Sequence, residues 1–486
     1  MLKHSKLTER RIENAVEKIA SRIYPERLPI SVGAWHVGGE PVPYSVAETA
    51  EYKPFAVGDA WGPAWDTTWF RISGQIPGEW KDREPVVLFQ LTDQGREGFT
   101  GEGLVYFDGQ PVRAVNRARN EIPVPASKDG HFEFYLEGAA NWAVPDGGKV
   151  AEKSGPLFFL TQAELAFINR EAFDYYYDFK VAAEAIVVLP ETGQRRAELR
   201  SALNESLNIW DEADDATIPA AREVLQEVLA KKNGDTVHKL SAIGHSHIDT
   251  AWLWPLRETI RKCARTFSTA IAYMESYPVY IFSCSQAQLY AWIKAVYPSI
   301  YEKIKQRIKS GQWEPIGSMW VEVDCNLASG ESLIRQILIG KKFFKEEFGY
   351  ETRDAWVPDV FGYSTAMPQI LNKCGIDAFV TQKISWSQFN KFPHHTFLWE
   401  GIDGTRIFTH FPPADTYNAA MSPQELVFNV TNFLEHGRAS RSLYVYGHGD
   451  GGGGPDITML EQAGRLRDFE GLPPVKQERV SEFLPK

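Results

Sequence analysis

The sequence predicts an α/β protein: an antiparallel β-sandwich, a helical linker, then a parallel, barrel-like α/β domain that is cut short at its C-terminal end. Three observations predict it. Short alternating apolar runs separated by Gly, Pro and Asp turns, such as TTWFRISGQI and HFEFYLEG, fill the first part of the chain. From Val237 onward strand-like runs alternate with helix-like ones, the pattern of a parallel sheet covered by helices. At 486 residues the chain is also too long for one ordinary core, so several domains are expected.

Taken in order, residues 1–27 contain one amphipathic helix, with Ile12, Val16, Ile19 and Ile23 three and four apart. Its expected role is packing, within the chain or in a homo-oligomer. Residues 28–194 are read as the sandwich, of eight to ten strands. The Asp-Gly of VYFDGQPV, between apolar alternations, marks a hairpin. Trp61, Trp65, Trp69 and Trp142 in this region are expected to be mostly core, although flat aromatic rings also stack on sugars. Residues 195–236 read as a helical linker, RRAELRSALNESLNIW and IPAAREVLQEVLAKK around the acidic DEADDA.

Residues 237–486 form the α/β domain. LSAIGHSH, VYIFSCSQ, WEPIGSMWVEVD and DAWVPDVFGYS each precede a helix-like run, and DAFVTQKIS follows the last of these. The chain then reads PPVKQERV as a strand and stops just after a helix begins at Ser481, so a fragment of a larger protein is expected. In such folds ligands bind at the carboxyl ends of the strands. There the sequence places His247, Asp249, Ser285, Gln286, Glu322, Asp324, Asp359, Lys383 and Asp415.

Composition excludes several function classes. A net charge of -11 and the lack of a basic stripe argue against nucleic acid as a partner. No run approaches the roughly 20 apolar residues that span a membrane, and the charged N-terminus is no secretory leader. Four scattered cysteines, Cys263, Cys284, Cys325 and Cys374, fit reduced thiols in a cytoplasm better than a disulfide framework.

The stretch LSAIGHSHIDTAWLWP concentrates the chemistry. Alternation along a strand points His245, His247 and Asp249 to one face, where two imidazoles and a carboxylate suit a metal or acid/base cluster. With Asp359 from AWVPDVFGYS, the nitrogen and oxygen donors favour zinc or a similar first-row divalent ion. Asp359 is read as a metal ligand, a nucleophile or both, against the plainer reading of a helix N-cap. Trp252, Trp254, Phe361 and Tyr363 supply aromatic surface beside these groups. Lys383 either stabilises a nearby carboxylate or is an ordinary surface lysine. The glycine run of GHGDGGGGPD lacks the spacing of a phosphate loop and is read as a flexible loop at the rim, with His448 and Asp450 lining it.

Five motifs, GHSHIDTAWLWP, MWVEVDCNLASGESLIRQ, AWVPDVFGYS, THFPPADTYNA and YGHGDGGGGP, together resemble the cytosolic-type α-mannosidases of glycoside hydrolase family 38. The resemblance covers 237–486, extends to the preceding sandwich, and matches the N-terminal portion of such proteins. It implies a retaining, metal-dependent exo-enzyme that releases terminal α-D-mannose from α-mannosides or oligomannose glycans. It implies His247, Asp249 and Asp359 as ligands of one divalent ion, zinc first and cobalt second. It makes Asp359 the nucleophile, Asp415 the general acid/base, and Trp252 and Phe361 contacts to the sugar ring. The family's downstream His-Asp pair, a fourth ligand, is not in this sequence, where the histidines after Asp359 are His394, His395, His410, His436 and His448. Two other readings are a metal-dependent carbohydrate deacetylase, distinguished by release of acetate, and a non-catalytic sugar-binding module, distinguished by lack of tightly bound metal.

Overall fold

The computed structural model describes residues 5–80, 82–95, 97–125, 129–141, 156, 158–234 and 236–485. It forms two compact units, Met1–Lys232 with Phe469–Gly471, and Asn233–Asp468 with Leu472–Lys486.

The first unit is built on two antiparallel sheets. One runs in the order Lys53–Pro54, Ser31–Val37, Thr67–Gln75, His131–Ala140, Gly101–Phe107, Gln110–Val115. The other runs Arg27–Pro29, Gln162–Ile168, Glu84–Gln90, Glu121–Pro123. The strand His131–Ala140 shows the cause: Phe132, Phe134 and Leu136 are buried while His131 and Glu133 face out. Those inward residues meet Phe70, Val87, Phe89 and Val105 in one core. The expected hairpin is present, with Phe107 opposite Gln110 and Asp108 and Gly109 both at positive φ, the two-residue turn that matches strand twist. Trp61 and Trp69 are buried core residues, Trp65 is half-buried, and Trp142 lies outside the described residues.

Helices complete this unit. Ser5–Ala20 buries Ile12 and Ile19 and packs on Arg170–Val188 and Gln194–Ile209, and Ile218–Leu229 packs on the latter two. The stretch read as a linker is therefore part of a helical cluster. The range read as sandwich also contains the helix Arg170–Val188, capped by the Asn169 side chain accepting from the Ala172 amide. Its Phe173, Tyr175, Tyr177 and Phe179 carry strand-like propensity, but their burial against neighbouring helices decides the conformation.

The second unit has a parallel sheet in the order Trp313–Pro315, Phe282–Cys284, Lys239–His245, Arg441–Tyr446, with Val475–Gln477 also paired to Lys239–His245. A second ladder runs Asp354–Trp356, Ala378–Val380, Arg406–His410 in parallel, then Thr396–Glu400 antiparallel at its edge. Ile243, Ile316, Trp356, Val380, Leu443 and Val445, contributed by both ladders, share one core. Within each ladder the parallel strands end at the same side, and the loops after residues 245, 284, 315, 356, 380 and 446 meet through side chains of both ladders. No helix among the described residues is long and apolar enough to cross a membrane.

Candidate functional site

The strand Lys239–His245 ends before the polar cluster begins. His245 stays in the core, where its Nε2 accepts from Trp356 Nε1 at 3.2 Å and burial drives its pKa down to about 3. The alternation that would align it with His247 stops with the strand, so His245 is not part of the cluster. His247 and Asp249 sit on the following loop. That loop is held against the one after Arg441–Tyr446: the Asp249 amide donates to the Asp450 carbonyl at 3.0 Å, and Ile248 bridges to Gly451. Glycine suits this seam at Gly452, whose φ of +82 is rare for other residues and where a Cβ would meet Thr266 Oγ1 at 2.6 Å.

His247, Asp249, Asp359 and Asp450 each bring a donor atom within 4.8 Å of all the others. Glu322, from the loop after Trp313–Pro315, braces this group from behind. Its Oε2 is 2.5 Å from His247 Nε2, and its Oε1 accepts the Asp359 amide at 2.9 Å. Gln286, held at φ 68, braces Glu322 in turn: its Oε1 accepts the Glu322 amide and the Thr250 hydroxyl while its Nε2 donates to the Ile248 carbonyl. One glutamate therefore orients both the imidazole and the backbone of Asp359.

The electrostatics follow from crowding acids in a buried place. Burial alone would hold His247 neutral, but the charge and hydrogen bond of Glu322, then Asp249 and Asp359, raise it to about 10. Asp249 is pushed up to about 7, first by burial and then, against the pull of His247, by Asp359, Asp450 and Glu322. Lys383 is buried and ion-paired through Nζ to Asp359 Oδ1, so it is no surface lysine. Its ammonium also sits 3.6 Å from the Trp386 ring centroid and 5.0 Å from that of Phe361. Tyr417 donates to Asp450 Oδ1 at 2.6 Å.

The residues fit a divalent metal. His247 Nδ1 is buried without a hydrogen-bond partner and lies 4.0 Å from Asp450 Oδ1. The other ring nitrogen is bound to a carboxylate, the arrangement that orients a ligating histidine. One nitrogen and carboxylate oxygens are a donor set for zinc or a related ion.

His247 and Asp249 from one motif, Asp359 from a second and Lys383 from a third stretch are thus brought together. Asp415 is outside the cluster: its Oδ2 accepts from Asn432 Nδ2 at 3.0 Å, in a neighbouring pocket, and burial raises its pKa. Trp252 is half-exposed and edge-on to Trp254, whereas Phe361 is 80% exposed beside Lys383. Sequence reasoning missed the place of Asp450, read only as lining a rim, and the bracing role of Glu322. His448 points elsewhere, with Nε2 2.9 Å from Asp456 Oδ2. The available signal for Asp450 was its position four residues past a buried strand-like run, YVY, like Asp249.

Two family models match the chain: the glycosyl hydrolases family 38 N-terminal domain over residues 237–486, and the alpha-mannosidase jelly roll domain over 28–166. The chain is similar to alpha-mannosidase 2C1 of Homo sapiens, 38% identical over 98% of this chain and 46% of that protein. It is also similar to alpha-mannosidase G of Dictyostelium discoideum, 37% identical over 100% of this chain and 46% of the relative. A third relative, alpha-mannosidase of Saccharomyces cerevisiae, is 34% identical over 86% of this chain and 40% of its own length. The chain thus spans about half the length of the relatives it matches.

Proposed function

The chain belongs to glycosyl hydrolase family 38, and from that premise we propose that the whole protein carrying it is a retaining, metal-dependent exo-α-mannosidase acting on α-mannosides or oligomannose glycans. The observation that carries this reading is the meeting of His247, Asp249, Asp359 and Asp450 within 4.8 Å at the carboxyl ends of parallel strands.

His247, Asp249 and Asp359 would hold the cation, zinc first and cobalt second, and when bound it would supply Lewis-acid polarisation of the sugar's hydroxyls. Asp359 is the nucleophile. Its amide is tied to Glu322 and its carboxylate to Lys383, which keeps it aimed. It attacks the anomeric carbon to form a glycosyl-enzyme ester as the glycosidic bond breaks. A second carboxyl protonates the departing oxygen and then takes a proton from the water that opens the ester. Retention asks for two carboxyl groups roughly 5 Å apart. Asp450 brings an oxygen no farther than 4.8 Å from one of Asp359, and on that proximity we propose Asp450 as the acid/base in place of the Asp415 implied by resemblance. Tyr417, donating to Asp450, fixes its orientation. Phe361 and Trp252 supply aromatic surface for the sugar.

All four cysteines are free thiols, which supports a cytoplasmic location as part of this proposal. The test uses the whole protein with an aryl α-mannoside. Turnover should release α-mannose as the first-formed anomer, and Asp359→Asn should lower kcat by about three orders of magnitude or more. Undiminished turnover by that variant would sink the assignment.

A further inference from the structure

Gln286 follows the strand Phe282–Cys284 and precedes the helix Ala287–Val296. It is buried, and its backbone stands at φ 68 and ψ 96, a conformation uncommon for any residue with a Cβ. Its neighbours impose this turn. The Ala287 and Gln288 amides donate to the Met319 and Trp320 carbonyls at 3.2 and 3.0 Å, which fixes how the helix starts. With the helix so placed, the turn at Gln286 lets its side chain reach back to the loop that carries His247 and Asp249. Backbone held in such a sparsely populated region persists only where the surroundings over-determine it, and it gathers at functional sites.

What the Gln286 amide holds is one peptide unit. The Ile248 carbonyl accepts from Gln286 Nε2 at 2.8 Å, while the Asp249 amide of the same peptide plane donates to the Asp450 carbonyl at 3.0 Å. A peptide is planar, so bonds on both sides stop it rotating and set the direction in which the Asp249 side chain leaves it. Gln286 Oε1 accepts two further bonds, from the Thr250 hydroxyl at 2.6 Å and from the Glu322 amide at 3.0 Å. Glu322 in turn reaches His247 and the Asp359 amide. His247, Asp249, Asp359 and Asp450 are thereby joined to one side chain, through Glu322 or through a single peptide. The residue type matters as well. An amide donates and accepts without adding charge, whereas a glutamate would turn an acceptor towards the Ile248 carbonyl and bring another carboxyl to a site crowded with them.

We propose that Gln286 is a positioning residue that sets the spacing of the metal ligands, and so how tightly and in what geometry the cation is held. The inference rests on the metal-dependent reading of the site and adds to it a residue outside the donor set.

The test uses the whole protein loaded with cobalt(II), whose visible absorption reports ligand geometry. Gln286→Met keeps the length and loses all the side-chain bonds. Chelator competition should show its metal affinity about 10- to 100-fold lower, and its cobalt bands should shift in position and intensity. Thr250→Val removes one bond to the same amide and should lower affinity by about threefold, with a smaller shift in the same sense. Tyr290→Phe is the comparison: its hydroxyl donates to the Cys284 carbonyl at 2.8 Å and accepts from Trp313 Nε1 at 3.0 Å, buried bonds outside this network. It should lower the unfolding midpoint and leave affinity and cobalt bands as in the wild type. Should Gln286→Met fail to fold, a weakened Thr250→Val supports the proposal and an unchanged one overturns it. Wild-type affinity and bands in Gln286→Met, or changes just as large in Tyr290→Phe, overturn the positioning role and leave the metal site standing. Failure of the wild type to bind cobalt overturns the metal reading, and this proposal with it.

Discussion

His247 is buried against Glu322 and three aspartates, and its pKa is raised to about 10. Elsewhere in the same unit His238, His395 and His410 are also buried, and burial lowers them to about 4, 4 and 3. Their partners explain the difference. His238 Nε2 meets Ser442 Oγ at 3.0 Å. His395 Nδ1 accepts from the Leu434 amide at 3.3 Å. His410 Nε2 accepts from the Leu443 amide at 3.2 Å, and its Nδ1 meets Thr396 Oγ1 at 2.8 Å. A backbone donor needs a neutral imidazole, whereas a carboxylate favours the charged one. Burial therefore says little about a histidine's charge until its partners are named. In the first region carboxylates outweigh burial at the imidazole, whereas in the second burial prevails, at His395 even against the nearby Glu435.

The largest effects should come from the charged region. Asp450→Asn should lower kcat on an unactivated α-mannoside by about 10²- to 10⁴-fold, the usual weight of a general acid. The loss should be far smaller on a mannoside with a strongly activated leaving group, which needs no protonation. Asp415→Asn should not reproduce that dependence on leaving-group acidity. If Asp415→Asn shows it and Asp450→Asn does not, the acid/base assignment must be reversed.

A smaller effect is expected one step back from the chemistry. Glu322→Gln keeps the shape but removes the charge beside His247, and should weaken metal affinity by about 10- to 100-fold. Competition with a chelator measures this directly. Unchanged affinity would make Glu322 a packing residue.

The neutral region should show itself only in stability. A histidine whose folded pKa is depressed contributes fully above its unfolded pKa of about 6.5, and that contribution is lost as pH falls towards the folded value. The unfolding midpoint should therefore drop between about pH 6.5 and pH 4. His410→Gln can keep both hydrogen bonds and cannot titrate, so it should flatten that drop at some cost in stability at neutral pH. An equally steep drop in the variant would remove His410 from the account.

How much of this was legible follows from what each feature depends on. His247 and Asp249 sit together in one short motif, and the Pro358-Asp359 step with its flanking aromatics marked the second strand tip. Local pattern sufficed there. Asp450 depends on Lys239–His245 pairing with Arg441–Tyr446, some two hundred residues later, and pairing order is not written in local periodicity. His245 was grouped with His247 because alternation was carried past the end of the strand. Asp415 shares the Asp and aromatic setting of a site residue, yet its carboxylate is claimed by Asn432, a contact no spacing announces. The aromatic run of Arg170–Val188 reads as strand until helices on several sides bury it.

The claim beneath these expectations is that the strand-tip cluster grips one cation. An anomalous-difference map at the zinc edge, from crystals of the whole protein grown with zinc, tests it most directly. The account predicts a single strong peak about 2.0–2.2 Å from His247 Nδ1 and from oxygens of Asp249 and Asp359. No peak there, with the Lys383 ammonium still paired to Asp359 in a zinc-saturated crystal, would contradict it.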